Sequence, residues 1–298
     1  MKLDVTNLAK SFRQQPILKQ IDFSWTDQEI IGLVGRNGAG KTTLLNCLTN
    51  YYQPDLGAVF LDEVGLMEKP ELRQHLVAVD SQHPFFQSER LTAISDYYQL
   101  AYPNFDKQQL QKYWLSNQIE RNKHYREFSK GQQAFICITL AICCRTEFVI
   151  LDEPFDGLDL IVRDKIVRLI IANSTKHHCG FLIASHNLNE LDGLCDRALF
   201  LNHGRITHDY ALEATRTQSK KFQLVFRQQQ IPALVYEQGK ILTVRGRVLE
   251  VVFTNYDDGL AADLAALEPV LCEELPLELT DLFKAEYQST STRKKVLA

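Results

Sequence analysis

Apolar residues recur at strand-like spacing over residues 3–8 and again over 17–25, with the polar stretch Arg13, Gln14, Gln15 and Pro16 between the two runs. That pattern predicts two strands of a small antiparallel sheet. Residues 29–34 form a short apolar run that stops at a glycine-rich turn, and good helix formers follow over 41–50, so a strand, a loop and a helix are expected in succession. From 88 to 126 the chain is mostly polar, with amphipathic periodicity as in 106–119; this predicts an inserted helical subdomain spanning about 83–130. Two more buried-strand candidates, 147–151 and 180–184, flank a helical stretch at 160–173, the alternation of an α/β protein with a parallel core sheet. Past residue 215 the pattern changes. Runs at 221–227, 240–244 and 248–254 have β-like spacing, 257–267 and 276–287 read as helices, and a polar tail carries Arg293, Lys294 and Lys295. The expected domains are therefore 1–215 and a small α+β appendage at 216–298, with the change of composition falling between 210 and 222. No internal repeat interrupts this order.

Composition narrows the class. A chain of 298 residues, 45% hydrophobic and 23% charged, suits one sizeable globular domain plus a smaller one. A formal net charge of -4 gives no overall attraction to polyanions, so no nucleic-acid partner is expected. The seven cysteines, at 47, 137, 143, 144, 179, 195 and 272, contain no CxxC pair and suggest neither a disulfide framework nor a zinc site. They fit a reducing compartment, with Cys143 and Cys144 read as small buried hydrophobes. The opening MKLDVTNLAK has no apolar core of a secretion signal. The longest apolar stretch, 134–144, falls short of the roughly 18 to 20 residues that cross a bilayer, so any work at a membrane calls for a second, membrane-spanning chain. The basic cluster at 293–295 reads as a solvated tail.

The chemistry begins at residues 35–42, GRNGAGKT, which fit GxxxxGK[ST] between a buried strand and a helix. Glycines at 35, 38 and 40 let successive backbone N–H groups point inward on phosphate oxygens at a helix N-terminus. Lys41 adds a full positive charge, Thr42 offers a hydroxyl to Mg²⁺, and Thr43 reaches toward the α-phosphate. Farther on, FVILDE at 148–153 is an apolar strand that delivers two acids at its C-terminal end, the edge where open α/β sheets bind ligands. Asp152 is placed to hold the metal, and Glu153 to orient and deprotonate the attacking water.

These motifs, in this order and spacing, resemble the ABC ATPase family over residues 1–215. The resemblance implies a P-loop NTPase fold of the ABC nucleotide-binding type: a parallel core sheet, a small antiparallel β subdomain and the inserted helical subdomain. It also assigns roles. Phe12 matches the A-loop aromatic that stacks on adenine, and the cradle contacts come from Gly35, Asn37, Gly38, Ala39, Gly40, Lys41, Thr42 and Thr43. Gln82 matches the Q-loop glutamine that contacts Mg²⁺ and links the site to the membrane partner; with Thr42 and Asp152 it makes up the expected metal set. Ser129, Gly131 and Gln132 lie in FSKGQ, similar to the signature LSGGQ but with Phe128 for Leu and Lys130 for the first Gly. Asp159 in PFDGLD matches the D-loop, where Leu160 stands at the usual Pro, and His186 in IASHN matches the H-loop histidine. Glu153, His186, Gln82 and Lys41 form the expected catalytic group.

The function implied is that of an ATP- and Mg²⁺-dependent subunit of an ABC transporter, working with a separate transmembrane permease. It would sit peripherally on the cytoplasmic side of the inner membrane. Because the signature of one copy completes the cradle of another, a homodimer, or a heterodimer with a related ATPase, is expected. AYPNFD at 101–106 together with SKGQ is similar to the ATPases of ABC-2-type exporters, which favours export. Two alternatives stay open at this stage: a soluble ABC ATPase acting on ribosomes or nucleic acid, and a regulatory subunit that binds ATP with little hydrolysis.

Overall fold

The computed structural model describes residues 1–80, 84–228 and 230–288. They divide into two compact units, the first Met1–Asp209 and the second beginning at Tyr210. In the first, β1 (Lys2–Phe12) and β2 (Gln15–Thr26) form a hairpin. Leu3, Val5 and Leu8 on one strand, and Leu18, Ile21, Phe23 and Trp25 on the other, are buried, so the alternation in the sequence marks the inward face. The hairpin turns on Arg13 and Gln14, with φ of 48° and 67°, the two-residue geometry whose twist suits paired strands. β4 (Leu56–Leu61) joins β1, and β5 (Val64–Gly65) completes the order β2-β1-β4-β5.

A six-stranded sheet faces it, built from β3 (Ile30–Val34), β6 (Leu76–Asp80), β7 (Phe148–Asp152), β8 (Gly180–Ser185), β9 (Arg197–Asn202) and β10 (Arg205–Ala211) in the order β10-β9-β3-β8-β7-β6. The pairings from β6 across to β9 are all parallel. Every residue of β3 and β8 is buried, which is why these strands read as unbroken apolar runs. The Trp25 and Phe148 rings, 4.7 Å between centroids, pack one sheet on the other. Parallel register brings Val34, Asp80, Asp152 and Ser185 to one edge, where the loops that follow converge.

α1 (Lys41–Leu48) follows β3, α5 (Leu160–His177) crosses from β7 to β8, and α6 (Leu188–Leu191) lies between β8 and β9. The helical insertion between β6 and β7 consists of α2 (Leu91–Ala101), α3 (Lys107–Ser116) and α4 (Lys130–Cys143). α3 is shorter than its periodicity predicted: Asp106 caps it by accepting from Gln109 N at 2.8 Å, and it ends before Asn117. α4 is buried from Ala134 through Cys143, so the longest apolar stretch of the sequence is a core helix. Among the described residues no helix is long and apolar enough to cross a membrane. Cys143 and Cys144 are both buried, and burial pushes the Cys143 thiol up to about 12, as expected for small core hydrophobes.

The second unit is an antiparallel sheet, β12-β13-β11-β14, of β11 (Lys220–Val225), β12 (Lys240–Arg245), β13 (Val248–Phe253) and β14 (Leu271–Leu275). It carries α7 (Leu212–Gln218), α8 (Ala233–Gln238), α9 (Asp258–Ala266) and α10 (Leu279–Gln288). Phe222, Leu224, Leu249, Val251 and Phe253 from the sheet pack with Leu260 and Leu264 of α9. α10 is held by Asp281, which is buried and accepts from Lys221 Nζ at 3.0 Å and from Glu278 N at 3.1 Å. The sequence missed β14 because four of its five residues are exposed, so no alternation marks it. The basic positions 293–295 lie outside the described residues.

Candidate functional site

The loop between β3 and α1 is built around close approaches. A Cβ on Gly35 would stand 2.7 Å from the Leu201 carbonyl oxygen, so only glycine fits there. Gly40, at φ 108°, caps α1, a conformation that other residues adopt only under strain. The effect is to turn the start of α1, with its unpaired N–H groups, toward the open edge of the sheet. Arg36, Asn37 and Gly38 are exposed on the loop, Ala39 bonds back to the Arg36 carbonyl at 3.0 Å, and Thr43 lies half-buried one residue past Thr42.

Lys41 is only 7% exposed, and its ammonium donates to the Gly35 carbonyl at 2.8 Å and pairs with Glu153 Oε1 at 3.2 Å. Thr42 Oγ1 donates to Asp152 Oδ2 at 2.7 Å. Burial raises the Asp152 carboxyl above the usual range, with the Thr42 hydrogen bond opposing it. Glu153, just beyond β7, has φ 46°, an uncommon state for a residue with a side chain; its N–H is tied to the Ala184 carbonyl at 2.9 Å. That twist aims the carboxylate at β8's end, where Oε2 accepts from His186 Nδ1 at 2.9 Å and from His186 N at 3.3 Å. With Nδ1–H engaged on the carboxylate, Nε2 is left for a substrate.

The fold therefore gathers Lys41, Thr42, Asp152, Glu153 and His186 from three strand ends. Ser129, Gly131 and Gln132 form a separate cluster at the start of α4. Ser129 Oγ accepts from Gln132 N at 3.3 Å, while the Gln132 side chain accepts from Ser129 N at 3.2 Å, a capping box. Phe128, just before it, is buried, so the position stays apolar as leucine would be. Gly131 faces Val162 of α5, whose first turn is capped by Asp159 accepting from Val162 N at 2.9 Å. Lys130 reaches Gly157 in the loop before α5. Gln82 lies outside the described residues.

Phe12 is 40% exposed at the hairpin tip. Ile17 and Leu18, on the neighbouring strand, touch the position of a Cβ on Gly40, so the hairpin borders the cradle. Three residues around Phe12 went unnoticed in the sequence: Tyr52 meets its ring edge-on, and Lys10, held by Asp55, stands over it. No local motif marks them, because β1 meets the segment after α1 only in the folded chain.

Residues 18–156 match the model of the ABC transporter family. The chain is 30% identical over 214 residues to the ABC transporter ATP-binding protein MJ1023 of Methanocaldococcus jannaschii, covering 70% of this chain and 76% of that one. This chain belongs to the ABC transporter ATP-binding proteins. ABC transporter ATP-binding protein YtrB of Bacillus subtilis is 27% identical over 285 residues, 96% of this chain and 98% of that protein, so the similarity runs through the second unit as well. The solved dimer of the ATP-binding cassette MJ0796, in a post-hydrolysis state with ADP and Pi, matches the fold with a TM-score of 0.61 at 19% identity, over 70% of this chain and 98% of that one. The expected ABC nucleotide-binding fold and membership of this ATPase family are thus both shown.

Proposed function

We propose that the gathered residues bind and split ATP. The carrying observation is Glu153, held between Lys41 and His186 beside the Thr42–Asp152 pair. Lys41 and the loop N–H groups of residues 35–43 face the phosphates, and Phe12 stacks on adenine. Glu153 takes the proton of the attacking water, and His186, held by its hydrogen bond to Glu153, faces the terminal phosphate. Gln82 joins the metal set and links the site to the membrane partner. Thr42 and Asp152, which lie together, would suit Mg²⁺, since both offer the hard oxygens that ion prefers. Burial of Asp152 favours a cation beside it. Bound there, Mg²⁺ would supply charge neutralisation to the phosphate oxygens.

The working unit is a twofold homodimer, in which Ser129, Gly131 and Gln132 of one copy reach the phosphates held by the other, and Asp159 lies at the junction. Separation of the signature cluster from the cradle onto different elements supports this reading. A separate transmembrane permease supplies the path, with the dimer peripheral on the cytoplasmic side of the inner membrane. Phe85 and Tyr97, 72% and 54% exposed with rings 5.2 Å apart, give the permease an apolar foothold, Phe85 standing three positions after Gln82 in the sequence. Relatives are named for export and for import; residues 101–106 and the SKGQ run favour export. A mild-detergent pulldown should recover a multi-span membrane protein, and the purified complex should release phosphate from ATP. Absence of adenine-nucleotide binding at millimolar concentration, with the membrane partner present, sinks the proposal.

A further inference from the structure

The ring proposed to meet adenine is held from two sides. Tyr52 packs edge-on against Phe12, centroids 5.2 Å apart and planes at 74°, and its own ring rests on the core beside α1. Lys10 Nζ stands over the Phe12 ring, 5.5 Å from its centroid. The ammonium is fixed by Asp55 Oδ1 at 2.8 Å and the Gln53 carbonyl at 2.7 Å. Asp55 also accepts from Ser11 N at 2.6 Å and donates its own N–H to the Ala9 carbonyl at 2.8 Å. The Lys10 hydrogen bond, followed by that of Ser11, holds the Asp55 carboxyl below its usual value, so it stays charged across the neutral range.

These partners come from two places that matter. Lys10 and Ser11 immediately precede Phe12 on β1, whereas Tyr52 and Asp55 belong to the segment that leaves α1, the helix whose first residue is Lys41. That segment is itself bound to the helix, since the N–H groups of Tyr51 and Tyr52 both donate to the Asn46 carbonyl, at 2.8 and 3.0 Å. Phe12 is the last paired residue before a two-residue turn, a place where side chains and backbone fray. A freely rotating ring would lose rotamer freedom on stacking, and bracing it beforehand removes that cost from binding.

We infer that Tyr52, Lys10 and Asp55 are positioning residues for the adenine platform, fixing Phe12 to the phosphate-loop helix with the face opposite Lys10 turned to the base. This rests on the reading of Phe12 as the base contact. The distinguishing property is a split between base and phosphates: the brace matters to adenine nucleotides and is irrelevant to a bare triphosphate chain.

The test measures affinity for Mg-ATP and displacement by magnesium tripolyphosphate in the full chain and in Tyr52→Ala, Tyr52→Phe, Asp55→Ala and Phe12→Ala. Tyr52→Ala and Asp55→Ala are expected to weaken ATP about two- to tenfold, the range of one aromatic contact, and to leave tripolyphosphate binding unchanged. Tyr52→Phe keeps the ring and should bind like the unaltered protein. Asp55 is exposed, so its variant stands as the check if Tyr52→Ala folds poorly. Equal loss for ATP and tripolyphosphate, or no loss of ATP affinity while Phe12→Ala shows one, overturns the brace. If Phe12→Ala itself binds ATP unchanged, the platform reading fails and the brace with it.

Discussion

Replacing Glu153 with glutamine removes one charge and leaves the shape of the side chain. Its carboxylate is 3.2 Å from the Lys41 ammonium, with the two side chains only 14% and 7% exposed. At an effective dielectric near 20 the gross attraction is about 5 kcal/mol, most of it cancelled by the cost of burying both charges. A terminal phosphate arriving at Lys41 takes over the role of counter-anion, so loss of the carboxylate removes a competitor of like charge. ATP affinity in Glu153→Gln should therefore be retained or improved. The amide has no basicity to accept the water's proton, and loss of a positioned general base slows reactions by about 10²–10⁴, or about 3–5 kcal/mol of barrier at 1.36 kcal/mol per decade. Phosphate release at saturating Mg-ATP gives the turnover, equilibrium titration gives the affinity, and light scattering detects the ATP-bound dimer that should accumulate. Turnover within twofold of the unaltered protein would remove Glu153 from the mechanism.

Other substitutions separate stability from chemistry. A raised carboxyl pKa means that the contribution of Asp152 to stability is fully present below its ordinary value and lost as pH rises through the raised one; Asp152→Asn should thus raise the melting temperature at pH 8 and not at pH 3.5, while ATP hydrolysis disappears. Ser129→Asp keeps a capping oxygen at the start of α4, so its unfolding free energy should stay within about 0.5 kcal/mol of the original, yet the added charge, which in the proposed dimer faces the partner's phosphates, should cut turnover at least tenfold. Gly35→Ala drives a Cβ to 2.7 Å from the Leu201 carbonyl, and urea denaturation should show a loss of about 1–3 kcal/mol together with weaker ATP binding.

Several features were legible in the chain itself because they depend on neighbours in sequence. The apolar runs of β3, β7 and β8 and the glycine spacing of residues 35–40 each follow from local sterics and periodicity; the capping box of Ser129 and Gln132 emerged only with the structure. β6, β9 and β10 were not foreseen, and β14, an exposed edge strand, carries no periodic signal at all. Gln82 lies outside the described residues, so its place in the metal set stands on sequence resemblance.

What folding alone decided are the contacts across long separations. Thr42 meets Asp152 across 110 positions, His186 meets Glu153 across 33, and Lys10 meets Asp55 across 45. Sequence named the first four of these residues one by one, yet had no means of showing that they converge, and it left Lys10, Tyr52 and Asp55 unremarked. The reason is physical. Propensity and periodicity act over a few residues, whereas the meeting of distant side chains is set by strand order and register in the parallel sheet, which brings the ends of β3, β7 and β8 to a single edge.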